Sequence, residues 1–123
     1  MQDLEAVVRE IGHTFKMKET TTEGDVVLIV AENPLTMMYG LVTAIDRDQT
    51  RKEEWWHLRM QILAFPPQKA VWTLRAPQFT GREIFSMGGE RRFVKALDFD
   101  EDEEYGGRPP IDPGKRPSLR RVK

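Results

Sequence analysis

The sequence predicts a mainly β domain: a small SH3-like or related barrel, its antiparallel sheet closed or half-open, with one N-terminal α-helix. Three observations carry this expectation. Six or seven short apolar runs follow one another between Gly, Pro, Thr and charged clusters. One of them, Trp55–Leu63, alternates strictly between apolar and polar side chains, which is the period of a strand. Only the N-terminal segment carries the period of a helix. At 123 residues the chain has the length of one ordinary domain, expected over 1–99 with a charged, disordered tail over 100–123.

The helix is expected over about 3–11. Leu4, Val7, Val8 and Ile11 form a single apolar stripe, Asp3 can accept from the first free amides, and Gly12 can end the helix in a left-handed turn. Three turns are too short to stand alone, so the helix should pack on the sheet, plugging one end of the barrel. Phe15 and Met17 alternate with Lys16 and Lys18, the pattern of a short strand or an extended arm. Val26–Ala31 is a continuous β-branched run, hence a strand covered on both faces.

Leu35–Met38 reads as an apolar turn and Tyr39–Ile45 as the next strand, with Gly40 marking a bulge or a close backbone approach. Asp46–Glu54, with seven charged residues in nine positions, reads as a loop. In the strand that follows, Trp56, Leu58, Met60 and Ile62 face one way and Trp55, His57, Arg59 and Gln61 the other. Pro66-Pro67 ends it, and Ala70–Arg75 supplies another strand. Gly88-Gly89 is a two-residue hairpin loop that pairs Met87 with Glu90, Phe85 with Arg92 and Ile84 with Phe93. In that register Phe85 and Met87 oppose the Ile84–Phe93 face, so both faces of the hairpin need cover.

Composition removes several function classes. A net charge of −1 supplies no overall field for nucleic acid or an anionic membrane. No cysteine is present, which excludes thiol catalysis and thiolate metal sites and suits a cytoplasmic setting. The longest apolar run, Val26–Ala31, is far shorter than the roughly 20 residues that span a bilayer. Ser86 and Ser118 have no base at a telling spacing, and His13 and His57 lie on separate elements. The paired carboxylates sit in charged loops, Asp98–Glu104 lacks the central glycine of a calcium loop, and no phosphate-binding glycine spacing occurs. The expectation is therefore no catalytic residue, no metal and no cofactor.

Arg47-Asp48-Gln49-Thr50-Arg51 resembles the Arg-x-x-x-Arg element of PilZ second-messenger-binding barrels. Ser86 and Gly89 resemble the end of that family's Asp/Asn-x-Ser-x-x-Gly element, but Ile84 stands where the acid or amide belongs. The family is not assigned on these residues.

Three binding candidates remain, of which the Leu35–Met38 turn suits a partner surface and an end-plug of the barrel equally. The polar face of the Trp55 strand, with His57 and Arg59, offers side chains common at protein-interaction hot spots. The leading expectation is a non-enzymatic interaction module or small subunit, binding a protein partner or a second copy. The alternative is a small nucleic-acid-binding barrel that gathers Arg75, Arg82, Arg91, Arg92 and Lys95 beside aromatic rings. The tail holds six acidic residues, five of them in the leading block 100–104, and six basic ones further on, so its acidic part can screen a basic patch on the domain.

Overall fold

A computed structural model describes residues 3–99. Helix α1 (Leu4–Thr14) precedes strands β1 (Val26–Ala31), β2 (Thr36–Arg47), β3 (Trp56–Ile62) and β4 (Gln68–Leu74). A short helix α2 (Ala76–Phe79) then leads to β5 (Phe85–Met87) and β6 (Glu90–Ala96). The six strands form one antiparallel sheet in the order β4-β3-β2-β1-β6-β5, curled into a half-barrel. Of the two expected forms it is the half-open one: among the described residues β4 and β5 are edges. Side chains reach across instead. The Arg92 guanidinium of β6 lies 4.9 Å from the Trp72 ring centre on β4, and its Nη1 is 3.7 Å from Met87 Sδ.

The curl creates two apolar clusters, one on each face. Inside lie Val27, Ile29, Val42, Leu58, Met60, Leu74, Phe85 and Val94, with Trp56, Ile62 and Trp72 packed against them. Outside, α1 covers β1 and β6, burying Leu4, Val7 and Ile11 against Leu28, Val30, Phe93 and Leu97. Alternate residues of β1 enter different clusters, which is why its apolar run is unbroken and why Val27–Ala31 is buried throughout. The β5–β6 hairpin has the expected pairs Met87–Glu90 and Phe85–Arg92. Its opposing faces are both covered, Phe85 by the inner cluster and Ile84 with Phe93 by the outer one. Gly88 and Gly89 both take positive φ, as the tight turn requires.

Several boundaries differ from expectation. Asp3 caps α1 through a 2.8 Å bond from the Ala6 amide, but the helix runs through Gly12 to Thr14, where the Phe15 amide bonds Ile11 oxygen. The helix packs on the outer face instead of plugging an end, because its stripe meets the apolar outer side of β1 and β6. Phe79 of α2, an element the sequence reading lacked, joins the inner cluster instead. Residues 15–18 form an extended arm, with a Met17–Leu97 bridge and a Lys18 amide bonded to Ala96 oxygen. β2 is longer than expected at both ends, taking in Met37, Met38, Asp46 and Arg47. Gly40 marks a close approach: a Cβ there would lie 3.3 Å from both Ile29 Cδ1 and Met60 Sδ. The register shift falls two residues later, between Val42 and Ala44. The expected tail lies outside the described residues.

Candidate functional site

The outer side of β2, β3 and β4 lies beyond the cover of α1. β3 gives it His57, Arg59 and Gln61, whose neighbours in the ladder are Thr73, Val71 and Lys69 of β4. On the other side, Leu41 pairs with Gln61, and the Leu63 amide donates to Tyr39 oxygen. Tyr39, Leu63 and Val71 are 45, 49 and 51% exposed, and Phe65 in the following turn is fully exposed.

At the head of this face stands Trp55, half-buried between two cations. The Arg51 and Arg75 guanidiniums lie 5.0 and 5.8 Å from its ring centre. A latch in the β2–β3 loop holds the arrangement. Asp48, only 7% exposed, accepts from the Thr50 amide at 2.9 Å, the Thr50 hydroxyl at 2.6 Å and Arg51 Nε at 3.1 Å, while its own amide bonds Trp55 oxygen. The Thr50 hydroxyl and amide, with Arg51, hold the Asp48 carboxyl below the ordinary aspartate range.

A carboxyl depressed on folding stabilises the fold above its unfolded value, near 3.8, and loses that contribution as pH falls through the lower folded value. A carbon-detected titration should therefore place the Asp48 midpoint below 3.8, with the Thr50 amide, which donates to this carboxylate, losing exchange protection in the same step. Asp48→Asn should abolish that step.

His57 sits beside this latch. Its Nδ1 is 3.0 Å from Thr73 Oγ1 and its Nε2 3.5 Å from Asp48 Oδ2. Both ring nitrogens face protein groups, and the carboxylate beside them already accepts three closer bonds. The Nδ1–Thr73 contact links β3 to β4.

Four of the seven expected site residues, Trp55, His57, Arg59 and Arg75, share this face. Arg59 Nε bonds Asp46 Oδ2 at 2.9 Å in an exposed cross-strand pair. The other three are dispersed. Arg91 projects outward and clamps Glu5 of α1 to Glu32 of the β1–β2 turn, its Nε 3.2 Å from Glu32 Oε2. Those carboxylates hold the guanidinium still more firmly protonated, and Arg91 in turn keeps Glu5 below the usual glutamate range. Arg92 projects inward onto Trp72 and Glu90. Arg82 is exposed on the turn after α2. The basic patch sketched from the sequence assembles only in part: Arg82 lies with Lys95 beside one groove, Arg75 lies by Trp55, and Arg91 and Arg92, consecutive on a strand, point to opposite faces.

The two guanidiniums of the Arg-x-x-x-Arg run face Trp56 and Trp55, while Ser86 pairs with Arg91 at the β5 edge. Among the described residues, no group of three or more His, Asp or Glu is placed to hold a metal ion, and no helix is long and apolar enough to cross a membrane. Comparison with protein-family models, with curated proteins and with solved structures gives no match.

Proposed function

We propose that this chain is a non-enzymatic protein-interaction module whose contact surface is the outer face of β2, β3 and β4, headed by Trp55. One observation carries the reading: one face holds the cation-flanked Trp55 at one end, Tyr39 and Leu63 at the other and Val71 between, the last three about half exposed. Trp, Tyr and Arg are the residues enriched at interface hot spots, and here they share a face with apolar side chains that the fold itself leaves wet. The partner that fits is a protein surface with an apolar centre and a carboxylate rim, because Arg51, Arg59, Arg75 and Lys69 outnumber Asp46 and Asp48 on this side. The Nδ1 contact of His57 with Thr73 across the β3–β4 ladder supports a structural role for it. The separate engagement of Arg91 and Arg92 weakens the nucleic-acid alternative. The reading extends to a small SH3-like module acting in the cytoplasm, in keeping with a cysteine-free chain.

The test begins with a partner isolated on the tagged full chain, identified, purified and titrated calorimetrically. Tyr39→Glu with Val71→Glu should weaken binding at least roughly tenfold while the melting temperature holds, and Arg82→Ala should bind as wild type. Unchanged affinity of the double variant contradicts the proposal. So does the lack of any specific protein partner, or a salt-sensitive affinity for labelled single-stranded RNA as the only binding that these substitutions abolish.

A further inference from the structure

A second surface lies on the other side of the molecule. A groove of about 700 Å³ runs between α1, the arm at residues 15–17, the turn at 81–84 and β6. Ile84 and Phe93 line its apolar floor, and Phe15, 46% exposed, stands along one wall. Four separate segments supply its cations: Arg9 from α1, Lys16 from the arm, Arg82 from the turn and Lys95 from β6. Against them stand Glu83, Glu5, already bonded to Arg91, and Asp98, whose carboxylate lies 4.0 Å from Lys16 Nζ, so Arg9, Arg82 and Lys95 carry most of the rim charge. Gly81 positions one of these cations. A Cβ there would fall 2.5 Å from Lys95 Cγ, so the Lys95 stem crosses the backbone at this glycine and its ammonium lies 3.3 Å from Thr80 oxygen.

The shape and charge call for an occupant with several carboxylates spread along its length and an apolar side chain. One phosphate or one carboxylate would meet only part of a rim carried by four segments. The chain itself encodes such an occupant. Residues 100–105 read Asp-Glu-Asp-Glu-Glu-Tyr, five consecutive acids followed by an aromatic ring. They follow a point already at the groove wall, since the Asp98 amide donates to Lys16 oxygen at 2.9 Å. Six residues reach up to about 20 Å, and an eleven-residue helix such as α1 is about 16 Å long. The segment is long enough to pass along the groove.

We infer that this groove is the intramolecular docking site of the acidic segment Asp100–Tyr105, with carboxylates on the cationic rim and the Tyr105 ring over the apolar floor. Each exposed ion pair contributes little alone, but tethering places the segment at millimolar effective concentration beside its site. Other acidic peptides then enter only by displacing it. This inference concerns a different face from the proposed interaction surface, and its test does not depend on that reading.

The experiment is zero-length carbodiimide cross-linking of the full chain, mixed from isotopically light and heavy protein and read by mass spectrometry. Cross-links within one chain from Lys95 and Lys16 to residues 100–104 are expected, with Lys95 decisive because it lies on β6 within the groove. Cross-links to Lys52 or Lys69 instead, or only between light and heavy chains, overturn the inference. A second measurement uses the chain carrying Asp100→Asn, Glu101→Gln, Asp102→Asn, Glu103→Gln and Glu104→Gln. These substitutions should shift the amide resonances of Val8, Gly12, Ile84 and Lys95 and leave those of Tyr39 and Val71 in place. Unmoved groove amides also overturn it.

Discussion

Leu58→Ala is expected to lower the unfolding free energy by about 2–5 kcal/mol. Leu58 is fully buried and faces inward, with Ile45 and Trp72 opposite it on the neighbouring strands. Deleting its side chain removes apolar transfer energy and leaves a cavity in the middle of a curved sheet. The surrounding strands cannot close that space without disturbing their ladders. A domain of this size has about 5–15 kcal/mol in total, so the variant should be marginal at physiological temperature. Urea denaturation checks this directly, and a loss below about 1 kcal/mol would place Leu58 outside a packed core.

Phe93→Ala is expected to cost about 3–5 kcal/mol, with a different pattern of local opening. Phe93 belongs to the outer cluster beneath α1. An eleven-residue helix is below the length that is stable alone in water, so α1 owes its order to that cluster. Amide exchange should therefore rise first at Val7–Ile11, while the β2–β3–β4 ladder keeps its protection relative to the lowered global stability. Leu58→Ala should instead raise exchange in that ladder. Identical exchange patterns in the two variants would argue against two separately covered faces.

The parts of this fold legible in the sequence are those written in local periodicity. The alternation of Trp56, Leu58, Met60 and Ile62 gave the inward face of β3, and the unbroken run Val26–Ala31 gave a strand buried on both sides. The glycine pair fixed the last hairpin register because two residues of positive φ leave little choice of turn. Placement of α1 was not legible, since an apolar stripe says that a helix packs but not on which face.

The candidate face was half legible. Trp55, His57 and Arg59 stood out on one strand, yet Tyr39 and Val71 come from neighbouring strands and matter only through the register. Tyr39 also sits in a run that is apolar at successive positions, so alternation could not mark it as exposed. The arginine patch came together only in part for the same reason: Arg91 and Arg92 are adjacent in sequence and directed to opposite faces. Asp48 looked like one solvated acid among many. Donors two and three residues ahead, Thr50 and Arg51, were the local signal that its carboxylate is held.

The most direct test of the interaction face is Trp55→Ala measured in two ways on the same preparation: equilibrium unfolding, and affinity for the purified partner. Trp55 is half-buried and held by two cation–π contacts, worth about 0.5–1 kcal/mol each at such a site. The fold should weaken by no more than about 2 kcal/mol on that basis, with partner binding abolished. A variant that binds with wild-type affinity, or one that unfolds outright because Trp55 belongs to the core, would contradict the proposed interaction face.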